Sequence, residues 1–240
     1  QTLIMLNHKI LIFFLLISQI LVAQNVKKCN TTFLMNNEIE KNEEYLENRK
    51  RLIAEDKLWI NQNSTASNKR STITIPIVVH VIHRTNHANI GSGTNISDAR
   101  IEDAIRILNE DYSKTNPEFP NPPRNTFLSS SGNPNLEFCL ATIDPSGNPT
   151  NGITRTATTQ INWDADDQGG WGSDGEANAM KKTSSGGIDS WDYQRYLNIW
   201  VCDLTNSQSG GMTLGYAYLP GLPSGGWGGD QTWKDGLVVD

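Results

Sequence analysis

Residues 72–83, TITIPIVVHVIH, constrain the fold more than any other stretch of this chain. They are dense in β-branched side chains and long enough for a central strand, with Pro76 tolerable near the start. A helix with a clear start signal follows. Ser97 can cap it, Asp98 suits the positive end of its dipole, and Ile101, Ala104, Ile105, Leu108 and Tyr112 make one apolar stripe, with Pro117 beyond its end. Further strands are expected at 135–142, 196–204 and 214–220, with GLVVD at 236–240 as a fifth, and the turn DPSGNP follows the second. Strands separated by helical stretches predict an α/β (α+β) fold, a mixed five-stranded sheet with helices packed on it.

Upstream of this region the chain has a different character. Lys9 precedes ILIFFLLISQILVA, residues 10–23, an apolar run that is short for a bilayer span and carries Ser18 and Gln19. It reads as a secretory signal peptide over residues 1–23, so we expect a secreted protein with no transmembrane segment and with disulfides permitted. Residues 24–60 are polar and helix-prone, with Tyr45, Leu46, Leu52 and Ile53 on one face of an amphipathic helix. NQNSTASNKRS, 61–71, reads as an exposed linker. Three parts result: 1–23, a helical segment with its linker over 24–70, and a body over 71–240. A formal net charge of -6 without clustered Lys and Arg argues against nucleic acid as a partner.

Residues that could carry chemistry are few. His80 and His83 have a spacing that suits a helix, but their Val and Ile neighbours say strand, where an offset of three sends the rings to opposite faces. Both are therefore read as structural. The sequence contains no H-E-x-x-H, G-x-S-x-G, phosphate-binding loop or dinucleotide fingerprint. NWDADDQGGWGSDGEAN, 162–178, gathers Asp164, Asp166, Asp167, Asp174 and Glu176 among glycines, oxygen-rich enough to hold calcium. It departs from an EF-hand at Gln168 and Gly175, and a plain solvated loop is the alternative. Of three cysteines, Cys29 stands in the polar N-terminal segment while Cys139 and Cys202 lie within expected strands. A Cys139–Cys202 disulfide would require their Cα atoms within about 7 Å.

IPIVVHVIH, ISDARIEDAIRILNEDY, LEFCLATIDPSGNPTNGITRT, MKKTSSGGIDSWDYQRYLNIWVCDL, LGYAYLP and DGLVVD together resemble the pappalysin family of metzincin zinc metallopeptidases, which includes ulilysin-like bacterial proteases. The resemblance runs from about residue 75 to residue 240. It implies the N-terminal subdomain of a metzincin, a twisted mixed sheet with an antiparallel edge strand, preceded by a helical pro-segment. In that family a strand like DGLVVD leads to a helix bearing H-E-x-x-H-x-x-G-x-x-H. Histidines four apart share a helix face and, with a third, hold zinc with one position open for water. None of those residues occurs here, so the chain is expected to stop short of its zinc helix and not to hydrolyse peptides by itself.

The resemblance also assigns roles to residues that are present. The antiparallel edge implies that Leu214, Gly215, Tyr216, Ala217 and Tyr218 pair with an extended peptide substrate through main-chain hydrogen bonds. Cys29, in KKCN, is implied to be a latent-state zinc ligand donated by the pro-segment, although Asn30 stands where glycine is expected. Removal of the segment would then fall in the linker, at Lys69-Arg70. The implied strand order places the first strand between those bearing Cys139 and Cys202, which separates the two thiols by about 9.6 Å unless one lies past a strand end. The expected function is a secreted zinc endopeptidase precursor. The alternatives are a non-catalytic secreted peptide-binding module with the same sheet, and an unrelated α/β surface protein with a calcium loop.

Overall fold

The computed structural model describes residues 29–63, 71–119, 128–167, 169, 175–207, 213–225 and 229–240. The expected signal peptide and the Lys69-Arg70 pair lie outside them. In chain order the elements are α1 (Thr31–Lys41), α2 (Glu43–Asn63), β1 (Ile73–Arg84), α3 (Asp98–Ser113), β2 (Leu136–Leu140), β3 (Ile153–Thr158), β4 (Trp163–Asp164), α4 (Glu176–Ala179), β5 (Leu197–Val201), β6 (Leu204–Thr205), β7 (Gly215–Ala217) and β8 (Leu237–Val239). Among the described residues no helix is long and apolar enough to cross a membrane.

β1 is the axis of the principal sheet. Its first half pairs in parallel with β2, Ile73 opposite Leu136, and its second half pairs on the same side with β3, Val79 opposite Ile153. On its other side β1 pairs in parallel with β5, β5 with β8, and β8 antiparallel with β7, giving the order β2-β1-β5-β8-β7. The mixed sheet with an antiparallel edge is as expected from the sequence. Its strand number is not: the sheet has six described strands rather than five. β3, ITRTAT, is polar at Thr154, Arg155 and Thr156, so it carries no apolar run to reveal it, and its pairing comes from lying beside β1. The chain turns back between β2 and β3 at Gly152, φ 72°, where a Cβ would sit 2.6 Å from the Ala141 nitrogen.

Alternation along β1 feeds two cores. Ile77, Val79 and Val81 pack with Phe138 and with Ile101, Ile105 and Leu108 of α3. α3 begins where the sequence places it, with the Ser97 hydroxyl accepting from the Arg100 nitrogen, and it ends at Lys114 in the left-handed region. On the opposite face Ile82 joins Trp200, Tyr216, Tyr218, Val238, Trp163 and Met180, and this core also contains Leu34 from α1. Burying each such side chain contributes roughly 1.5–3 kcal/mol, so Leu34 ties the N-terminal segment firmly to the body.

That segment differs from the single amphipathic helix expected. It breaks at Asn42, which leaves the helical region at φ -145° and ψ 98°, and the Asn42 side chain accepts from the Glu44 nitrogen at the start of α2. The stripe continued through Leu52 and Ile53 does not dock, for Ile53 remains 44% exposed. Of that stripe Tyr45 is buried, and with it Leu34 and Glu38 of α1, which the stripe omits.

Candidate functional site at the sheet edge

β7 is hydrogen-bonded to β8 on one side only, and a bare edge of this kind presents unpaired main-chain groups. Here the chain itself covers them. The Asn30 nitrogen donates to the Gly215 carbonyl at 3.1 Å, and the Ala217 nitrogen donates to Thr31 Oγ1 at 2.9 Å. Asn30 is fixed in turn, its side-chain nitrogen donating to the Ala165 carbonyl at 2.8 Å and to Asp166 Oδ1 at 3.2 Å. Further along the segment, the Tyr45 hydroxyl donates to the Leu219 carbonyl, Asn48 to that of Gly221 and Arg49 to that of Pro220. The cover runs from β7 through residue 221.

The five residues assigned to substrate pairing play unequal parts. Gly215 and Ala217 present the main-chain groups just described. Tyr216 and Tyr218 turn into the core: the Tyr216 hydroxyl donates to the Ala177 carbonyl, and the Tyr218 hydroxyl accepts from Asn178 Nδ2 at 2.8 Å. Burial pushes the Tyr216 phenol well above its ordinary pKa. Leu214 is 44% exposed, but its carbonyl is already taken by the Asp240 nitrogen.

Cys29 is an exposed free thiol beside the Gly215 end of this edge, its sulfur 3.3 Å from Thr31 Oγ1. The Cys139–Cys202 bond that the sequence leaves open is not formed, and both thiols are free. β1 lies between their strands, and the registers set them at opposite ends of it: Cys139 is level with Pro76, whereas Val201, one residue before Cys202, is level with Val81. Two strand spacings alone exceed the reach of a disulfide.

The histidines are structural, each with its own partners. His80 is fully buried between Thr154 Oγ1 at 2.7 Å and Asn198 Oδ1 at 3.0 Å, against the rings of Trp191 and Trp200. Asn198 Oδ1 also accepts from the Trp191 nitrogen, so His80 Nε2 carries the proton and Nδ1 accepts from Thr154. Burial lowers its pKa to about 4 from 6.5, with the Asn198 hydrogen bond in partial opposition. His83 Nδ1 lies by the Arg84 carbonyl.

In the acidic loop the carboxylates serve the backbone. Asp164 accepts from the Asp166 and Ser207 nitrogens, Asp167 from those of Gly169 and Glu176, and Glu176 from that of Asp164. Gln168 and Asp174 lie outside the described residues. Among those described, no group of three His, Cys, Asp or Glu side chains could hold a metal ion.

A second charged cluster under the cover gave no signal in the sequence. Lys234 and Glu38, 196 residues apart, form an ion pair at 2.9 Å with both side chains only 7% exposed. Beneath it Lys181 is fully buried. Its ammonium donates to the Lys234 carbonyl and lies 4.7 Å from the Tyr218 ring, 5.0 Å from Trp200 and 5.7 Å from Tyr216. Burial lowers its pKa to about 7, against an ordinary 10.5, with Asp235 opposing the shift.

No protein-family model matches the chain, and no curated protein matches it. Solved structures do. A Tannerella forsythia promirolysin variant is 34% identical with a TM-score of 0.63, covering 89% of this chain and 59% of its own. The chain is similar to mirolysin. The mature Tannerella forsythia enzyme with a cleaved peptide is 39% identical with a TM-score of 0.56, and mirolysin with a compound is 39% identical at 0.55; each match covers 71% of this chain and 53% of the other. This chain thus spans a little over half the length of these structures. Mirolysin is a metzincin-type, ulilysin-like metallopeptidase, which supports the family expected from the sequence, and the mixed sheet with its antiparallel edge is like the promirolysin fold.

Proposed function

We propose that this chain is the latent N-terminal part of a secreted zinc endopeptidase of the pappalysin type, with residues 24–70 as pro-segment and linker and 71–240 as the beginning of the catalytic domain. The observation that carries the reading is the pairing of Asn30 and Thr31 with Gly215 and Ala217. A peptide added to this edge would need those same main-chain groups, so the segment and a substrate exclude one another. The promirolysin match covers 89% of this chain and the mature mirolysin match 71%, which supports reading part of the chain as a pro-segment. The peptide in the mature mirolysin structure supports peptides as the substrate class.

The sequence has no H-E-x-x-H, and among the described residues no group of three His, Cys, Asp or Glu side chains could hold a metal ion. What the chain supplies is a sheet, a substrate edge and a cover. Cys29 adjoins that cover: it precedes Asn30, which pairs with Gly215, and it is an exposed free thiol whose sulfur lies 3.3 Å from Thr31 Oγ1. In the reading proposed here, its thiolate occupies the zinc in the latent protein.

The test uses the full-length protein. After cleavage in the linker it should hydrolyse peptides, and a zinc chelator should abolish this. In the uncleaved, zinc-loaded protein Cys29 should resist a thiol reagent until a chelator removes the zinc, and a thiol that reacts equally fast with and without zinc would sink its role. Peptide binding without zinc-dependent hydrolysis would favour the non-catalytic binding module.

A further inference from the structure

We propose that Lys234, framed by Tyr218 and Trp233, is a subsite for an acidic side chain of the bound peptide, and that Glu38 holds that place while the N-terminal segment covers the edge. The proposal rests on the reading of β7 as the peptide-binding edge. Glu38 belongs to α1, the helix that continues directly from Asn30 and Thr31, so one continuous segment fills both the edge and the Lys234 site. Tyr218, one residue beyond Ala217, faces Lys234 at 6.0 Å from ring centroid to ammonium, and Trp233 does so at 5.6 Å. The site therefore lies just past the stretch of β7 that offers main-chain pairs, within reach of a side chain on a peptide seated there.

The surroundings favour an anion. With the segment docked Lys234 is buried, and its ion-pair partner is Glu38, a carboxylate of the segment that must leave. Lys181 stands below it as a second cation, its ammonium committed to the Lys234 carbonyl and the aromatic rings. Lys182 lies 4.2 Å over the far side chain of the wall, Trp233. Against these stands Asp235, whose carboxyl is held above its ordinary pKa by burial and accepts from the Gly236 nitrogen. Departure of Glu38 leaves the Lys234 ammonium without its carboxylate, beside the rings of Tyr218 and Trp233. A carboxylate on the incoming peptide can re-form the charge-assisted hydrogen bond that Glu38 gives up, and the peptide that carries it covers the site again.

The experiment uses the full-length protein after removal of the segment at the linker, with peptides differing only in Glu against Gln at successive positions on either side of the scissile bond. Wild type should prefer Glu over Gln at one position by about tenfold in kcat/KM. Lys234→Met should bring that ratio near one, and Lys234→Arg should restore it. The ratio within each protein is the readout, so a loss of folded protein cancels. Cleavage with no position favouring Glu by more than twofold overturns the subsite and leaves the edge reading standing. If nothing is cleaved, the same labelled pairs are compared by fluorescence anisotropy. A tenfold Glu preference in Kd that Lys234→Met removes supports the subsite, equal Kd values overturn it, and failure of every peptide to bind overturns the edge reading and the subsite with it.

Discussion

Acidification should destabilise this fold through one side chain. His80 is fully buried, accepts from the Thr154 hydroxyl and donates to Asn198, and its pKa is lowered to about 4 from 6.5. The folded protein therefore resists a proton that the unfolded chain accepts readily. Because the folded pKa lies below the unfolded one, the unfolded state binds more protons between pH 6.5 and pH 4. Stability is then full above about pH 6.5, falls through that window, and loses no more from this group below pH 4. At about 1.4 kcal/mol per pKa unit, a shift of this size is worth roughly 3 kcal/mol, a large fraction of a typical domain's 5–15 kcal/mol. Urea unfolding at pH 7, 6, 5 and 4, followed by tryptophan fluorescence, would give the free energy at each pH. His80→Gln keeps a donor for Asn198 and an acceptor for Thr154 but does not titrate. Its stability should fall about 3 kcal/mol less than that of wild type across the window, with acids such as Asp235 and Asp240 titrating in both proteins and cancelling. Parallel curves for the two proteins would refute the argument that the neutral buried imidazole controls this loss.

Two further outcomes test the packing. Leu34→Ala removes the apolar anchor of α1 from the core it shares with Trp200, Tyr216 and Tyr218, and should cost about 2–5 kcal/mol. Hydrogen exchange over 31–41 should then speed up far more than exchange over β1, and equal acceleration of both would mean that the segment does not open on its own. In the 240-residue chain without zinc, thiol titration should find Cys29 reacting fast in the native state and all three cysteines reacting after denaturation without reductant. Only one reactive thiol in the denatured protein would restore a Cys139–Cys202 bond.

Much of the architecture is written locally. The β-branched run of β1 and the Ser97 cap with the stripe of α3 are short-range patterns, and each produces its element where the pattern lies. The antiparallel edge and the strand order came from a resemblance of several blocks, and the sheet has that order. Other features have no local signature. β3 is polar and becomes a strand only because the second half of β1 offers it a ladder. The break at Asn42 changes which residues of the N-terminal segment face the body, so a stripe drawn for one continuous helix selects Leu52 and Ile53 where the fold uses Leu34 and Glu38. Tyr216 and Tyr218 read as edge residues, yet their side chains belong to the core and only the main chain of their neighbours faces outward.

Sequence patterns alone determined elements such as β1 and α3, because alternation, helical periodicity and capping act over a few residues. Tertiary structure alone decided what covers the edge and which charges lie beneath the cover. Glu38 meets Lys234 across 196 residues, and Lys181 loses its solvent only when Trp200, Tyr216 and Tyr218 close around it. Burial and ion pairing depend on distance in space, which the spacing of residues along a chain does not specify.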